Sequence, residues 1–246
     1  MRIVVINGTE QKGCSFQMKE MFLDIVGRGN TITEYYLPKD CPDFCTGCKA
    51  CFYKDISVCP HRDYTVPVWD AIAAADLLVF VSPVYVFHAT AQTKALLDHY
   101  ASKWMAHSPD RRLFKKQAVI ITNSAGMGMN NVIKDIGDSL RYWGVERIYP
   151  VKQALFESRW ENIAEKRKSA IKRQCERINV RIKRTKQIKP GFGTIMRFYI
   201  MRMAQKMIHK AQIKAGQPET KDHKYWRENG WLGDKRPWKE SDGKDE

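Results

Sequence analysis

Four cysteines lie close together in the sequence at a spacing that suits a metal centre. Cys45, Cys48 and Cys51 follow one another at intervals of three, and seven residues separate Cys51 from Cys59. Closely spaced thiolates from one loop can reach adjacent iron corners of a [4Fe–4S] cluster, whereas structural zinc more often uses two separated pairs. Free or redox-active thiols are the third interpretation. We expect these four cysteines to be the ligands of one [4Fe–4S] cluster.

Three further cysteines and two lysines are also relevant to the chemistry of the thiols. Cys41 is interpreted as a spare thiol or an alternative ligand, Cys14 is expected to face a phosphate, and Cys175 to be structural. Lys49 and Lys54 are expected to stabilise the charge of the neighbouring thiolates. Seven cysteines without a recognisable export signal predict reduced thiols, metal ligands or redox chemistry in the cytoplasm.

Three polar or aromatic loops are the other candidates for chemistry. Gly8–Ser15 is a small-polar loop that runs into a helical pattern, so its N–H groups can hold a phosphate, although an ordinary strand–helix turn has the same appearance. Ser82–His88 offers a proline and aromatic side chains that can line a flat ring. Asn123–Gly128 has small residues that allow close approach of the backbone to a ligand. No G-x-G-x-x-G dinucleotide fingerprint is present.

Each of these loops follows a short apolar run, and five such runs predict the strands of a parallel sheet. The runs are Arg2–Ile6, Thr31–Leu37, Leu77–Val81, Ala118–Thr122 and Arg147–Val151. Helical patterns lie between most of them, at Ser15–Val26, Val66–Ala75, Ala91–Trp104 and Asn130–Trp143. Ligands bind beyond the carboxyl ends of the strands in such sheets, so the three loops are expected to surround one site.

Over about residues 1–155 the sequence resembles the flavodoxin-like NAD(P)H-dependent FMN reductase family. The matching features are the first loop, the segment Ser82–Tyr85 followed by Ala91–Asp98, and the glycine loop before a helix that ends at Trp143-Gly144. The resemblance implies a doubly wound, five-stranded parallel sheet of order 2-1-3-4-5. It also implies that the cofactor is FMN rather than FAD and that NAD(P)H is the co-substrate.

The resemblance also assigns roles to individual residues. The residues implied to hold the FMN phosphate are Thr9, Gln11, Gly13, Cys14 and Ser15. The residues implied to contact the isoalloxazine ring are Pro83, Val84, Tyr85, Val86 and Phe87. The residues implied to close over the ring are Ser124, Ala125, Gly126 and Met127. The family usually has Ser-Pro-Arg where this chain has Thr9-Glu10-Gln11, which predicts weaker phosphate binding. The cysteine motif is similar to that of the iron–sulfur flavoproteins within the family.

No catalytic side chain is expected. His61, His88, His99 and His107 have no carboxylate or nucleophile at a spacing that predicts pairing, and a flavin needs no side-chain base for hydride transfer.

The C-terminal part of the chain is strongly basic. Residues 1–110 contain 10 Lys and Arg against 12 Asp and Glu, whereas residues 111–246 contain 32 against 15. A capping box at Ser158–Glu161 predicts a charged helix to about Lys186. A second helix is predicted from Phe192 to about Ala215, and the tail from Gly216 is expected to be irregular.

Three kinds of partner suit such a basic extension: the protein body or a second subunit, an anionic membrane surface, and nucleic acid. An apolar stripe at Ile195, Phe198, Tyr199, Met203 and Met207 favours assembly into a homodimer or higher homo-oligomer. Peripheral membrane contact is the alternative, and nucleic acid is not expected because no nucleic-acid motif accompanies the charge.

Together these features predict two parts, a flavodoxin-like FMN domain at residues 1–157 and a helical basic extension at residues 158–246. The composition, 43% hydrophobic and 28% charged, excludes disordered, collagenous and membrane proteins. The expected function is an FMN-dependent oxidoreductase that takes hydride from NAD(P)H and passes electrons to a small-molecule or protein acceptor, in part through the cluster. The alternatives are a non-catalytic flavodoxin-type electron carrier and a basic binding module with a vestigial flavin site.

Overall fold

Five parallel strands form the centre of the protein, whose computed structural model describes residues 1–185 and 187–239. The strands are β1 (Arg2–Asn7), β2 (Thr31–Tyr36), β3 (Leu77–Val81), β4 (Gln117–Ser124) and β5 (Arg147–Ala154). Their order in the sheet is β2-β1-β3-β4-β5, and every pair is parallel. The predicted flavodoxin-like α/β fold is therefore confirmed, with each strand beginning within one residue of its prediction.

The three central strands β1, β3 and β4 are almost entirely buried because helices cover both faces of the sheet, whereas the edge strands β2 and β5 are mostly exposed or half-buried. All five residues of β3 are buried. Successive residues of β1, β3 and β4 point alternately into two separate hydrophobic cores. The helices are α1 (Cys14–Val26), α2 (Ala50–Tyr53), α3 (Arg62–Ala74), α4 (Ala91–His99), α5 (Met129–Trp143), α6 (Glu165–Arg184), α7 (Phe192–Lys214) and α8 (Lys221–Glu228). α3, α4 and α5 contribute to one core, and α1 and α6 to the other.

One predicted helix is shorter than expected. α4 ends at His99, and a 3-10 turn at Ala101–Lys103 replaces the remainder of the predicted segment to Trp104. Tyr100 lies at the break, fully buried, and donates a hydrogen bond from its hydroxyl to the carbonyl oxygen of Thr65 at 2.9 Å. This long-range contact favours a bend that the local sequence does not encode.

The predicted capping box at Ser158 is wrong. α6 begins at Glu165, after a 3-10 turn at Trp160–Asn162, and Ser158 donates its N–H to the side chain of Glu157 instead of capping a helix. Lys186, where the predicted helix ends, lies outside the described residues. α6 buries Ile171, Cys175, Ile178 and Ile182 in the core that also contains β1 and α1. The division between residues 157 and 158 stays a prediction, and this packing favours a boundary after Arg184.

The predicted irregular tail is also wrong within residues 216–239. Lys221–Glu228 forms α8, which Thr220 caps by accepting a hydrogen bond from the N–H of His223. A third hydrophobic core joins this region to the body; it contains Met105, Phe114, Phe198, Trp226 and Trp231, each 0% exposed. The tail therefore folds because its tryptophans are buried against α7 and the segment after α4. Residues 240–246 of the predicted tail lie outside the described residues.

The helix α7 leaves an apolar face in solvent. Phe198, which the sequence placed in the stripe for assembly, is instead buried in the third core of the same chain. The opposite side of the helix exposes the side chains of Phe192, Met196, Met203 and Met207, which are 77%, 43%, 63% and 68% exposed. We call these four residues the α7 stripe. None of the helices in the described residues is long and apolar enough to cross a membrane.

Candidate functional site

The first loop brings the amino terminus of α1 to the carboxyl edge of the sheet. Gly13 precedes the helix. Because glycine has no side chain, Gly13 makes no capping hydrogen bond to the N–H groups of the first turn. Thr9 accepts a hydrogen bond from the N–H of Gln11 at 3.1 Å, which shapes the loop. Cys14 and Ser15 are buried at the start of the helix. The positive end of a 13-residue helix is a suitable place for a phosphate.

The loop after β3 forms a tight turn whose tip is strained. Tyr85 and His88 exchange two backbone hydrogen bonds of 2.9 and 3.0 Å. Between them Val86 and Phe87 have φ values of 47° and 64°, in the left-handed region that a β-branched residue rarely adopts. Val86 is 92% exposed at this tip. Such strain is found where a backbone is shaped for a ligand.

The loop after β4 combines unpaired polar atoms with a glycine that has no room for a side chain. The side-chain oxygens of Thr122, Asn123 and Ser124 are buried and have no hydrogen-bond partner. Gly128 has a φ of 91°, and a Cβ atom there would lie 2.7 Å from the Cγ1 of Val84. These three oxygens lie at the carboxyl end of β4, the edge at which ligands bind in such sheets.

Hydrogen bonds join the three loops into one surface. The hydroxyl of Thr90 donates to the carbonyl oxygen of Gly8 at 2.6 Å, and the N–H of Val84 donates to the carbonyl oxygen of Asn123 at 3.0 Å. A Cβ atom at Gly8 would lie 2.2 Å from the hydroxyl oxygen of Thr93, so the first loop packs directly on the start of α4.

The predicted site residues all lie in the three loops, and some of them are exposed on this surface. Tyr85, Phe87 and Met127 are 48%, 55% and 73% exposed and offer apolar contact area for a planar ring. The others lie in the same three loops: Thr9, Gln11, Gly13, Cys14, Ser15, Pro83, Val84, Val86, Ser124, Ala125 and Gly126. A helix amino terminus, exposed aromatic walls and unpaired polar atoms fit the phosphate, ring and ring-edge groups of a flavin mononucleotide.

Two residues that the sequence analysis missed also border this surface. Phe156 follows β5 with a φ of 57° and is 67% exposed, and its ring is 3.6 Å from where a Cβ atom of Gly126 would stand. The guanidinium of Arg167, on α6, lies 4.7 Å from the centre of the Phe156 ring. Only the fold brings Arg167 to the glycine loop, so no local motif could reveal it.

Negative charge also lies near the first loop. Burial raises the pKa of the Cys14 thiol, and the carboxylates of Glu161 and Glu157 raise it further. Cys14 is therefore a neutral thiol at physiological pH, and it donates a hydrogen bond to the carbonyl oxygen of Ser158 at 3.3 Å. This contact agrees with a structural position rather than a reactive one.

The histidines do have carboxylate or carbonyl partners, contrary to the sequence-based expectation. The Nδ1 atom of His88 lies 3.0 Å from the Oδ2 of Asp135, on α5. His61 pairs with Asp43 at 3.2 Å and His107 with Asp222 at 2.7 Å, whereas His99 contacts the carbonyl oxygen of Asp43 at 2.9 Å. These partners are distant in the sequence, which is why spacing did not reveal them.

Comparison with known proteins identifies the family. Residues 1–156 match the family described as NADPH-dependent FMN reductase. The chain belongs to this family. The match covers the whole five-stranded sheet and all three loops described above, so the prediction of an NAD(P)H-dependent FMN oxidoreductase is confirmed at the level of the family.

Solved structures show that the fold of this family member is shared. A flavone reductase is 15% identical with a TM-score of 0.55, covering 78% of this chain and 66% of that protein. An FMN-dependent NADH-azoreductase from Bacillus anthracis, solved in complex with FMN, is 13% identical with a TM-score of 0.55, covering 74% and 99%. An NAD(P)H:quinone oxidoreductase from Methanothermobacter marburgensis is 14% identical with a TM-score of 0.56, covering 73% and 94%. No curated protein matches the chain by sequence.

Two residues with a left-handed backbone conformation form turns in the cysteine loop. Gly47 lies between Cys45 and Cys48 with a φ of 67°, and Lys49 lies between Cys48 and Cys51 with a φ of 61°. Cys45 and Cys48 are exposed, Cys51 is partly buried at the start of α2, and Cys59 is buried after a 3-10 turn. All four are free thiols. The loop is thus compact and presents two thiols to solvent.

The cysteine thiols are not drawn together as a zinc site would require. In the described residues no three of their sulfur atoms lie within 4.8 Å of one another. Thiolates that share one tetrahedral zinc at 2.3 Å lie about 3.8 Å apart. In a cubane cluster each thiolate binds a different iron atom, so the sulfur atoms lie farther apart than in a zinc site. The 4.8 Å distance between sulfur atoms therefore tests a zinc site and does not test a [4Fe–4S] cluster.

Burial raises the pKa of two thiols in this region. It raises the pKa of Cys51, against a hydrogen bond from Ser102 that lowers it. It also raises the pKa of Cys41 to about 11, with a further contribution from Asp43. The expected stabilisation of the loop thiolates by Lys49 and Lys54 stays a prediction. The high pKa of Cys41 favours its interpretation as a spare thiol.

The C-terminal helix α8 contacts the cysteine loop. The ammonium group of Lys221 donates a hydrogen bond to the carbonyl oxygen of Cys51 at 3.1 Å. Beside this contact, the ring of Phe52 meets the ring of His107 edge-on with centroids 4.7 Å apart. A cleft of about 710 Å³ opens here, lined by Phe52, Tyr53 and Glu219 among others. No local sequence pattern indicates that the tail reaches this loop.

Proposed function

We propose that the protein is an FMN-dependent oxidoreductase that uses NAD(P)H and delivers electrons to a small-molecule or protein acceptor. The observation that carries this proposal is the single surface formed by the three loops, with its uncapped helix and unpaired polar oxygens. When bound, FMN takes hydride from NAD(P)H and passes one or two electrons onward. The unpaired thiols of the chain favour a reducing compartment, and we propose the cytoplasm.

The residues of the chain act by binding and positioning. The first turn of α1, with Ser15 and the loop at Thr9 and Gln11, would hold the phosphate through N–H and hydroxyl donors. Tyr85 and Phe87 would contact one part of the ring, while Met127 and the segment Ser124–Gly126 would close over it and exclude water. No side chain of the surface is assigned a proton-transfer role, because hydride transfer requires alignment of the two rings.

Cofactor release tests this function. Purified protein, reconstituted with flavin where necessary, is expected to release FMN and not FAD on denaturation, as identified by mass spectrometry. NADH or NADPH is expected to bleach the bound flavin rapidly under anaerobic conditions. Reduction only by a protein partner would instead identify a flavodoxin-type carrier, and the absence of flavin after reconstitution would contradict the proposal.

We further propose that Cys45, Cys48, Cys51 and Cys59 hold a [4Fe–4S] cluster that exchanges electrons with the flavin. The support is the compact double turn at Gly47 and Lys49, which presents the first three thiols from one loop. The loop also follows β2, which is paired with β1, the strand whose loop would bind the phosphate. When bound, the cluster would transfer single electrons.

Replacing Cys51 with serine is expected to remove most of the iron and acid-labile sulfide from anaerobically prepared protein. Cys51 is partly buried within the motif, so its loss removes a ligand from the centre of the loop. Cys175→Ser is the matched control, because Cys175 is 0% exposed on α6 and remote from the motif in sequence. Equal iron content in the two variants, or wild-type protein without iron, would contradict the cluster.

We also propose that the α7 stripe is covered by a second copy of the chain. Four large apolar side chains on one face form a surface that water disfavours, and symmetric pairing is the commonest way to bury one.

The double variant Met203→Glu with Met207→Glu is expected to shift the protein from dimer to monomer in light scattering. Two carboxylates placed on a buried apolar face would be desolvated without partners. Lys172→Gln and Lys183→Gln together change the net charge by the same amount on exposed α6 positions, and they should leave the mass unchanged. A monomeric wild type that binds anionic vesicles would contradict the dimer and indicate membrane contact.

A further inference from the structure

One lysine beside the surface formed by the three loops carries a charge that no carboxylate of the described residues neutralises. Lys152 is exposed on β5, the strand at one edge of the sheet. Its ammonium donates a hydrogen bond to the Oδ1 of Asn130, in the first turn of α5, at 2.7 Å. Asn130 is a neutral acceptor, so the ammonium keeps its charge and further N–H donors for a ligand.

This lysine is held at both ends, unlike most lysines on a protein surface. The backbone N–H of Lys152 donates to the Oε1 of Gln174 on α6, and the Nε2 of Gln174 donates to the carbonyl oxygen of Lys152, each at 3.2 Å. The amide thus occupies the backbone positions that an additional strand would fill. Because Asn130 holds the ammonium as well, less side-chain entropy is lost when a ligand binds.

A cavity joins this ammonium to residues proposed to contact the flavin ring. The cavity has a volume of about 380 Å³, and its lining includes Phe87, Met127, Asn130, Asn131 and Lys152. Phe87 and Met127 provide apolar contact area, whereas the other three side chains are polar or cationic. A ligand that fits this lining combines an apolar ring with a negatively charged group.

We propose that Lys152 binds the pyrophosphate of NAD(P)H while the nicotinamide lies against Phe87 and Met127 at the flavin. This inference rests on the proposed function, which requires a dihydronicotinamide beside the flavin ring. The pyrophosphate supplies the negative charge that the lysine lacks in the described residues, and an ammonium binds it through charge-assisted hydrogen bonds. Lys152 contacts the substrate away from the reacting atoms, so it contributes to binding and not to hydride transfer.

The reduction of the FMN-loaded protein by NADPH tests this role. Under anaerobic conditions, the rate of flavin bleaching at increasing NADPH concentration gives an apparent Kd and a limiting rate. Lys152→Gln is expected to raise the apparent Kd roughly tenfold, the effect of losing a hydrogen bond to a charged group. The limiting rate should stay the same, because the contact is equal before and during hydride transfer. Lys152→Arg keeps the charge and should retain most of the affinity.

A donor without phosphates provides the decisive comparison. N-benzyldihydronicotinamide has the same reacting ring as NADPH and no pyrophosphate, so it should bleach the flavin equally fast in the wild-type and Lys152→Gln proteins. Lys134→Gln is the matched control, because it removes the same charge from α5 at a lysine that is already paired with Asp138 at 2.7 Å. It should leave the apparent Kd for NADPH unchanged.

Three results would overturn the role of Lys152. An unchanged apparent Kd for NADPH in FMN-loaded Lys152→Gln protein would show that the pyrophosphate lies elsewhere. An equal loss with N-benzyldihydronicotinamide would show that Lys152 acts through the flavin or the fold. A defect confined to reoxidation of the flavin would assign the cavity to the electron acceptor. Wild-type protein without FMN after reconstitution would instead contradict the proposed function, and this inference with it.

Discussion

Gly128→Val is expected to weaken FMN binding by about 10- to 100-fold while leaving the sheet folded. The φ of 91° at Gly128 is unfavourable for any residue with a Cβ atom, and for a β-branched residue above all. A Cβ atom would also lie 2.7 Å from the Cγ1 of Val84 and 3.0 Å from the Cα of Phe87. To relieve this overlap, the loop after β3 and the glycine loop must move apart, which opens the surface proposed to hold the ring.

Flavin fluorescence quenching in a titration of the apoprotein measures this effect, and circular dichroism reports the fold. Gly126→Ala is the control within the same loop. Its Cβ atom would meet only the Cε1 of Phe156 at 3.6 Å, an ordinary contact, and Gly126 does not have a positive φ. Equal affinities for FMN in the Gly128→Val and Gly126→Ala proteins would show that the ring lies elsewhere.

Trp226→Ala is expected to destabilise the docked C-terminal region by about 3–5 kcal/mol, the usual cost of removing a buried tryptophan. The indole ring of Trp226 is 0% exposed and stacks on Phe198 with centroids 5.0 Å apart. Its N–H donates to the carbonyl oxygen of His107 at 2.8 Å. The substitution therefore creates a cavity in the third core and also removes a buried hydrogen bond between α8 and the segment after α4.

Urea unfolding followed by circular dichroism, together with limited proteolysis of the tail, measures this loss. Phe192→Ala is the comparison variant, because Phe192 is an aromatic residue on α7 that is 77% exposed. Its free energy of unfolding should change by less than about 0.5 kcal/mol in the monomer. If Trp226→Ala were as stable and as resistant to protease as Phe192→Ala, the third core would not hold the tail.

The sheet and its loops were predictable because their signals are local. A run such as Leu77–Val81 is apolar at every position, which is possible for a strand only when both faces are covered. The order of the elements then determines which loops share an edge, so the positions of Gly8–Ser15, Ser82–His88 and Asn123–Gly128 followed from the strands alone. Gly144, with a φ of 104°, ends α5 where a glycine C-cap was expected.

The remaining features depend on contacts between distant residues. Asp135 lies 47 residues from His88, and Asp222 lies 115 residues from His107, so neither pair has a sequence signature. The polar, tryptophan-rich segment after Gly216 has few apolar residues locally. It forms α8 because Trp226 and Trp231 are buried by residues of other elements. Ser158 had the sequence of a helix cap, but its N–H bonds to the adjacent Glu157 instead.

The hydrogen bond from Lys221 to Cys51 would give the C-terminal helix an influence on the redox energetics of the proposed cluster. Burial lowers the pKa of Lys221, yet the group remains a hydrogen-bond donor aimed at the backbone of the thiol loop. Reduction adds negative charge to any centre held there, and donors or cations nearby stabilise that charge. If the proposed cluster is held in this loop, Lys221 would raise its midpoint potential and make it a better electron acceptor.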